Sequence, residues 1–308
     1  MSVSPASLAR AYAACEALAR SHYENFPVAS RLLPAPMRPH VAAVYAFARI
    51  ADDMADEGAA PPAERRTALH TWRDRLHGAV EGTEAAVEGE GDQLVMVALA
   101  HSIRSLDLPI SLFDDLISAF GQDTMTTRYS SWADVFDYCR RSANPVGRLV
   151  LRIAGYPDRA PLARSSDALC TALQLTNFWQ DFGRDWRAGR LYVPLDEQRA
   201  AGASEADLAQ GRMTDAWART IERCVAVTKN MFADGRSVCD GVSGRLGLEL
   251  RLTWLGGARI LERVERTRGT LLDQRPALGR ADAPLLVWRA LRWSKVRGAG
   301  APGVIDAS

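Results

Sequence analysis

The stretch "LCTALQLTNFWQDFGRDW" (169–186) indicates the fold class, because its apolar residues return at intervals of three and four. That spacing places them on one face of an α-helix. The stretch "LARAYAACEALARSHYENF" (8–26) has the same periodicity, whereas the alternation typical of half-buried β-strands is almost absent from the sequence. We therefore predict an all-α protein.

Clusters of proline and glycine divide the chain into segments of helix length. None of them is a long linker with a change in composition, so we predict one helical domain over 1–297 and a frayed tail over 298–308. The tail contains Gly298, Gly300 and Gly303 at the spacing of a dinucleotide-binding loop, but no strand precedes them, and we reject the match. The clusters lie at 27–39, 57–62, 81–92, 154–161, 188–194 and 240–247.

Composition and charge exclude several classes of protein. The 308 residues are 47% hydrophobic and 24% charged, as in a globular chain, and 38 basic against 37 acidic residues give no electrostatic signal for nucleic acid. Five cysteines without a Cys-x-x-Cys pair argue against a zinc site or a disulfide framework. No apolar run approaches the roughly 20 residues of a membrane span, and no basic-then-apolar leader is present. We expect a cytoplasmic protein.

A first acidic cluster lies in "FARIADDMADEG" (47–58). In a helix, Asp52, Asp53 and Asp56 project from one face within about 6 Å of one another, where like charges destabilise the helix. A solvated helix end, with water screening the acids, is the ordinary interpretation of such a run. What lies opposite the carboxylates must decide between that interpretation and a binding site.

Two features favour a binding site. The preceding segment, "HVAAVYAFARIA" (40–51), is apolar nearly all round and predicts a buried helix. Arg49 lies three residues before Asp52 and four before Asp53, so it places a cation beside them. Mg²⁺ prefers carboxylate oxygens and often links one or two carboxylates to a phosphate-bearing substrate.

A second polar row lies in "QLTNFWQDFGRDW" (174–186). Asn177, Asp181 and Asp185 follow at four-residue steps, which predicts a stripe about 12 Å long on one helix face, with Gln174 one turn earlier. The polar face of an amphipathic helix is the alternative, but a solvated face normally includes Lys and Glu. The surrounding residues are apolar: Leu173, Leu175, Phe178, Trp179 and Phe182.

Two acidic rows on largely apolar helices suggest one site. If the helices face each other across a cavity, Mg²⁺ ions between them can hold a diphosphate and neutralise it as a leaving group. Departure of the diphosphate leaves a carbocation in an apolar pocket. The crowding of carboxylates becomes tolerable once metal and diphosphate are bound.

The ordered set of motifs resembles the squalene/phytoene synthase family of head-to-head isoprenoid enzymes. The resemblance extends over most of the chain and implies a single-domain, all-α bundle around a central cavity. The motifs are His22-x-x-x-Phe26, Tyr45-x-x-x-Arg49-x-x-Asp52-Asp53-x-x-Asp56, "YCRRSANPVG" (138–147), Gln174-x-x-Asn177-x-x-x-Asp181-x-x-x-Asp185 and "GRLYVP" (189–194).

The resemblance also implies roles for individual residues. Tyr138 would line the reaction centre and stabilise charge or manage a proton, although the residues alone equally allow a core tyrosine with a satisfied hydroxyl. The implied catalytic Mg²⁺ ligands, direct or through water, are Asp52, Asp53, Asp56, Asn177, Asp181 and Asp185. The implied contacts to the substrate or its diphosphate are His22, Asn25, Tyr45, Arg49, Gln174 and Arg190.

Departures from the wider family indicate a branch. The chain has Gln180 where most members have an arginine, Arg184 where they have an acid, and Asn144-Pro145 in place of Ala-Gly. Loss of the arginine removes a cationic contact and fits a substrate with one diphosphate. Together with "ENFPVAS" (24–30), these features resemble the hydroxysqualene synthases of bacterial hopanoid pathways. That branch converts presqualene diphosphate to hydroxysqualene, without a reductant, by ionisation, rearrangement and water capture.

Several questions stay open. Another family activity would condense two prenyl diphosphates to presqualene diphosphate, squalene or phytoene, and a non-catalytic helical assembly factor would keep the fold alone. Partner enzymes of the same pathway are a further possibility. The basic and aromatic segment "VWRALRWSKVRG" (287–298) would suit peripheral contact with the inner face of an anionic membrane, or a last helix with its tryptophans packed inward.

Overall fold

Helices dominate the residues that the computed structural model describes, which are 4–21, 32–56, 60–82, 91–156 and 159–294. In these ranges no strand forms, and the one extended pairing is an isolated bridge between Arg128 and Leu191. The prediction of an all-α fold is confirmed. No helix in the same ranges has both the length and the apolar character needed to cross a membrane.

Fifteen α-helices and one short 3₁₀ helix, Ala35–Met37, form the described part of the chain. The α-helices are α1 Pro5–Ser21, α2 Arg38–Asp56, α3 Pro62–Glu81, α4 Asp92–Leu106, α5 Ser111–Asp123, α6 Trp132–Ser142, α7 Asn144–Ile153, α8 Ala160–Gln180, α9 Phe182–Arg187, α10 Leu195–Ala201, α11 Glu205–Ala209, α12 Asp215–Gly235, α13 Val238–Gly241, α14 Gly244–Arg266 and α15 Asp282–Leu291.

The breaks predicted from proline and glycine coincide with breaks between helices, from the one before α2 to the one between α13 and α14. Other breaks have no such cluster. The turn before α6, for example, depends on a capping box in which Asp134 accepts a hydrogen bond from the backbone of Ser131 at 2.9 Å. The predicted tail and its glycine match lie outside the described residues.

The two helices that carry the acidic rows are the centres of two packed groups. Helix α2 packs against α1, α3, α4 and α5, whereas α8 packs against α6, α7, α12, α13 and α14. The groups meet where α5 contacts α6 and α7, and where α2 contacts α7. Each row is therefore held by a helix that is supported on several sides.

The apolar residues around the second row anchor it in the core. Trp179 is fully buried and its indole Nε1 donates to Thr228 Oγ1 at 2.9 Å. Phe182 packs edge-on against Trp217, with ring centroids 5.6 Å apart. These contacts fix the orientation of the polar residues between them.

The second row does not lie on one unbroken helix, which corrects the sequence prediction. Helix α8 ends at Gln180, and Asp181, with φ −94° and ψ 10°, separates it from α9. The four-residue spacing survives because Asp181 N donates to Asn177 O at 2.8 Å and Asp185 N to Asp181 O at 2.9 Å. Gly183 allows the close packing here, because a Cβ at this position would lie 2.2 Å from Leu272 O.

Candidate active site

The first acidic row occupies the last turns of α2. Arg49 Nη2 lies 2.5 Å from Asp53 Oδ1, and Arg49 Nη1 lies 3.6 Å from Asp52 Oδ2, so the predicted cation is in place. Burial and the neighbouring charge of Asp56 raise the pKa of Asp52 to about 6, against the opposing effect of Arg49. The row therefore carries more negative charge than one arginine balances.

Arg190, in the turn after α9, connects this row to the second one. Its Nη1 and Nη2 atoms donate to the two carboxylate oxygens of Asp56, at 2.8 and 3.1 Å, across 134 positions of sequence. These hydrogen bonds are the main cause of a raised pKa at Arg190, and Asp185 of the second row contributes to it. Arg190 thus lies between acids from both rows.

The second row is held by a hydrogen bond between two of its own residues and by an ion pair with a residue distant in sequence. Asn177 Nδ2 donates to Asp181 Oδ2 at 2.9 Å, and Arg275 forms an ion pair with Asp181. The pKa of Asp185 is raised to about 7 by burial first and by the charge of Asp181 next, and Asp56 of the first row adds to the effect. Since Asp56 acts on Asp185, the two rows face the same region.

Arg275 brings a cation to the second row, and Gln180 supports its position. Gln180, which replaces the arginine of most family members, is buried and donates through Nε2 to Pro276 O at 2.6 Å. It thereby secures the segment that carries Arg275 onto Asp181. A cation is therefore present at the second row from another part of the chain.

The carboxylates suit a metal that arrives with its substrate. In the described ranges no three carboxylate, imidazole or thiol groups converge as a ready-made ion cage. Instead, arginines at 49, 190 and 275 pair with acids of both rows. Mg²⁺ needs only one or two carboxylates when phosphate oxygens and water complete its shell. The donor set fits Mg²⁺ bound together with a diphosphate.

Tyr138 contacts an acid that the sequence analysis missed. Its hydroxyl donates to Asp123 Oδ2 at 2.7 Å, at the end of α5. Burial raises the pKa of Asp123 to about 7, and the charges of Asp56 and Asp52 contribute, while the hydrogen bond from Tyr138 lowers it. Asp123 was missed because it is a lone acid with no helical repeat, so only the packing of α5 against α6 pairs it with Tyr138.

Aromatic side chains adjoin this pair. Phe178 stacks on Tyr192 with ring centroids 3.8 Å apart, and Tyr138 lies 6.0 Å from Phe178 and 6.2 Å from Tyr192. Tyr129 also stacks on Tyr192, with ring centroids 5.6 Å apart. The faces of such rings attract cations. We call these four residues the aromatic cluster; Tyr129 and Tyr192 were not predicted as site residues.

An apolar cavity lies between α2, α7, α8 and α14. Its wall includes Val41 from α2, Val150 from α7, Leu169 and Leu173 from α8, and Leu250 from α14. Side chains of this kind provide a hydrocarbon-like environment. The cavity therefore has an apolar lining, although its volume of about 50 Å³ is far smaller than that of a long hydrocarbon chain.

The helix faces that line this cavity continue into the two acidic rows. On α8, Leu173 is followed four residues later by Asn177. On α2, steps of four lead from Val41 through Tyr45 to Arg49. Burial raises the pKa of Tyr45, and Arg49 lowers it, which places Tyr45 between the cavity and the charged end. Both helices thus pass from apolar to charged in the same chain direction.

A family model described as squalene/phytoene synthase matches residues 19–282. The chain belongs to the squalene/phytoene synthase family. The resemblance found in the motifs is therefore confirmed, and the protein is an isoprenoid synthase that acts on prenyl diphosphates.

Relatives in the squalene/phytoene synthase family include two hydroxysqualene synthases. The chain is 37% identical to that of Zymomonas mobilis over 74% of each chain, and 35% identical to that of Rhodopseudomonas palustris over 82% of each chain. Among solved structures, squalene synthase HpnC from Alicyclobacillus acidocaldarius matches with a TM-score of 0.77 and 40% identity, covering 86% of this chain and 97% of that one.

Of the squalene/phytoene synthase motif residues, most lie at the site described above. Gln174 is half-buried on α8, one turn before Asn177. His22 and Asn25, predicted to contact diphosphate, lie outside the described residues. Arg184 is exposed on α9 and acts on Asp185 only through its charge.

Proposed function

We propose that the protein converts presqualene diphosphate to hydroxysqualene in a Mg²⁺-dependent reaction of squalene and hopanoid biosynthesis. The observation that carries the proposal is the shared polarity of α2 and α8. Each presents an apolar face to one cavity and leads into an acidic row, which lies on α2 for the first row and continues from Asn177 of α8 through Asp181 to Asp185 of α9 for the second. A substrate with long hydrocarbon chains and a single diphosphate likewise has an apolar part and a charged end.

The acidic rows would bind the metal and the diphosphate. Asp52, Asp53 and Asp56 on one side, with Asn177, Asp181 and Asp185 on the other, would hold Mg²⁺, directly or through water. When bound, the metal supplies positive charge to the departing diphosphate. His22, Asn25, Tyr45 and Gln174 would complete the contacts to the substrate.

The arginines would exchange partners when the substrate binds. Arg49, Arg190 and Arg275 each neutralise an aspartate in the structure described here. Were Mg²⁺ held by those aspartates, each guanidinium would be free to bind diphosphate oxygens with two parallel hydrogen bonds. The same side chains would thus first balance the aspartates and then hold the diphosphate.

The reaction itself needs little chemistry from the protein after the diphosphate leaves. Rupture of the carbon–oxygen bond yields a cyclopropylcarbinyl cation, which rearranges as the three-membered ring opens. The aromatic cluster would stabilise this positive charge, because Tyr138, Phe178 and Tyr192 pack ring to ring beside the acidic rows. Water then adds to the cation, and no reductant is consumed.

The names of the relatives support water capture over condensation of two prenyl diphosphates. The alignments with the two hydroxysqualene synthases cover 74% and 82% of this chain, and the same shares of those enzymes. Condensation remains the rival within the same family, whose description includes phytoene synthases.

Product analysis decides between the two reactions. Purified protein is incubated with presqualene diphosphate or with farnesyl diphosphate, with Mg²⁺ or EDTA and with or without NADPH, in ¹⁸O-labelled water. We expect labelled hydroxysqualene from presqualene diphosphate only, dependent on Mg²⁺ and indifferent to NADPH. Presqualene diphosphate formed from farnesyl diphosphate, with no turnover of presqualene diphosphate itself, would contradict the proposal and establish condensation.

A further inference from the structure

Asp123 has one satisfied carboxylate oxygen and one that is not. Oδ2 accepts the hydrogen bond from Tyr138 at 2.7 Å. Oδ1 is buried, and no group within the described ranges donates a hydrogen bond to it. A buried carboxylate oxygen without a donor is unfavourable, and in a native protein it usually has a functional reason.

Asp123 lies beside the aromatic side chains that would surround the carbocation. Asp123 is joined through the Tyr138 hydroxyl to the aromatic cluster, which would surround the carbocation. Asp56 and Asp52 of the first acidic row are close enough to raise its pKa. Asp123 is therefore near both the aromatic cluster and the first acidic row.

We propose that Asp123, oriented by Tyr138, binds the water that captures the carbocation and accepts its proton. The water oxygen forms the new carbon–oxygen bond, one oxygen–hydrogen bond breaks, and the proton passes to the carboxylate. The neutral alcohol leaves, and the carboxyl group later returns its proton to solvent. No oxidant or reductant takes part.

The chemistry of the pair fits this role, which rests on the proposed function. Tyr138 occupies Oδ2 as a donor, so Oδ1 is the oxygen left to accept from water. A pKa of about 7 is suited to a group that takes up and releases a proton near neutral pH. The Tyr138 hydroxyl serves to orient the carboxylate and does not itself have to give up its proton.

The substitution Asp123→Asn tests the proposal through the fate of the cation. The amide oxygen still accepts from Tyr138, but the side chain no longer accepts a proton. We expect diphosphate release from presqualene diphosphate to continue within a few-fold of wild type. Hydroxysqualene should fall by about a hundredfold, and hydrocarbon products of proton loss should replace it. Asp115→Asn, on the exposed side of the same helix and paired with Arg140, is the matched control and should behave as wild type.

Two results would overturn the role of Asp123. One is an unchanged proportion of hydroxysqualene among the products of Asp123→Asn. The other is an equal loss of diphosphate release and alcohol in a variant with a wild-type melting temperature, which would assign Asp123 to ionisation. If Asp123→Asn does not fold, Tyr138→Phe is used in its place. We then expect a lower ratio of alcohol to hydrocarbon products, and an unchanged ratio would contradict the proposal. Failure of the proposed function is distinct, since wild-type protein would then form no hydroxysqualene.

A second observation concerns the surface of the last helix. Within the described ranges, five of the six large apolar side chains that are exposed lie between 278 and 291, and the sixth is Met125. Trp288 is 53% exposed and Leu291 69% exposed, whereas Leu286 and Ala290 on the opposite face of α15 are buried. The remaining members of this apolar patch are Leu278, Leu285 and Val287.

Basic side chains border the apolar patch. Arg280, Arg289 and Arg292 are exposed there, and the Arg292 guanidinium lies 5.3 Å from the centre of the Trp288 ring. The one acid of α15, Asp282, is buried and paired with Arg259 and Arg263, so it does not offset this charge at the surface. The segment 278–292 therefore exposes apolar and basic side chains together.

The alternative that packs both tryptophans of this segment inward holds for Trp293 and fails for Trp288, which is exposed. Trp293 packs against Trp254 with ring centroids 5.5 Å apart, and Arg236 lies 3.8 Å above its ring. The two interpretations of this segment thus apply to different residues, with Trp293 in the core and Trp288 in the patch.

We infer that the apolar patch docks on an anionic lipid bilayer. Exposed tryptophan and leucine beside arginine are the composition of helices that lie in the membrane interface. A symmetric dimer through the same face would bring its arginines against one another, which disfavours a second copy as the partner. Docking here would allow an apolar substrate to pass between the bilayer and the protein without crossing water.

Vesicle flotation tests the docking surface. We expect the protein to float with vesicles that contain phosphatidylglycerol, and to float at least about tenfold less with pure phosphatidylcholine vesicles. The double variant Trp288→Glu, Leu291→Glu should lose flotation, whereas Met125→Glu, an equally exposed apolar position elsewhere, should keep it. Absence of flotation, or flotation unaffected by the double variant, would refute the inference. A dimer in solution that the double variant dissociates would assign the patch to a protein interface.

Discussion

Replacement of Asp185 by asparagine is expected to lower kcat/KM for presqualene diphosphate by about a thousandfold, because metal-borne charge on a leaving group contributes several kcal/mol. The same change should raise the melting temperature of the metal-free protein. Burial and the charges of Asp181 and Asp56 disfavour the ionised form of Asp185, and asparagine carries no charge. Activity and stability should therefore move in opposite directions.

The gain in melting temperature from Asp185→Asn should depend on pH in a defined direction. The pKa of Asp185 in the folded protein is raised to about 7, above the ordinary value of 3.8 that it has when unfolded. The folded state thus binds the proton more strongly, and stability contributed by that proton is lost as the pH rises through about 7. The stabilisation by Asp185→Asn should be larger at about pH 8.5 than at about pH 5.5, as measured by thermal unfolding in EDTA.

Asp196→Asn is the matched control for Asp185→Asn. Asp196 lies on α10, with its side chain 63% exposed beside the exposed Arg199. An exposed ion pair contributes little to stability, so neither activity nor melting temperature should change measurably. A variant Asp185→Asn with near-wild-type kcat/KM would remove this residue from the metal site, and one with a lower melting temperature at high pH would contradict the electrostatic argument.

Replacement of Arg190 by methionine is expected to lower both activity and stability. Loss of a cationic contact to the developing negative charge of the leaving group should lower kcat/KM by about a hundredfold to a thousandfold. In the metal-free protein, Asp56 loses both hydrogen bonds from Arg190. We therefore expect the free energy of unfolding to fall by about 2 kcal/mol, a value between those for exposed and for buried ion pairs. Urea titration measures the second effect.

Arg190→Lys and Arg199→Met complete the experiment. Lysine keeps the charge but not the two parallel hydrogen bonds to Asp56, so it should recover stability in part and activity only weakly. Arg199→Met removes an exposed arginine of α10 and should have no measurable effect. If Arg190→Met were as stable and active as wild type, the ion pair with Asp56 would not connect the two rows in solution.

Much of the local structure was predictable from particular residues. The three- and four-residue apolar spacing predicted helices, and the proline and glycine clusters predicted where several of them end, as between Asp56 and Pro62. The contact of Arg49 with Asp53 was also predictable, because residues four apart on one helix are neighbours. The single domain over 1–297 and the roles of the site residues stay predictions.

Other parts of the site had no signal in the spacing of residues. Asp123 is a single acid at the end of α5, and nothing near it in sequence relates it to Tyr138. Arg275 meets Asp181 across 94 positions, with Gln180 holding the adjacent Pro276 in place. The interruption of the second row at Asp181 was missed as well, since four-residue spacing persists through a one-residue break in a helix.

The sequence by itself determined the helical class of the fold and the two acidic rows with their apolar approaches, because helix periodicity relates residues only three or four positions apart. The tertiary structure decided which charges from distant segments meet: Arg190 with Asp56, Arg275 with Asp181, and Asp123 with Tyr138. Such pairs depend on how whole helices pack, and many helix arrangements satisfy the same local pattern. Only the packed core selects the one in which these side chains share a site.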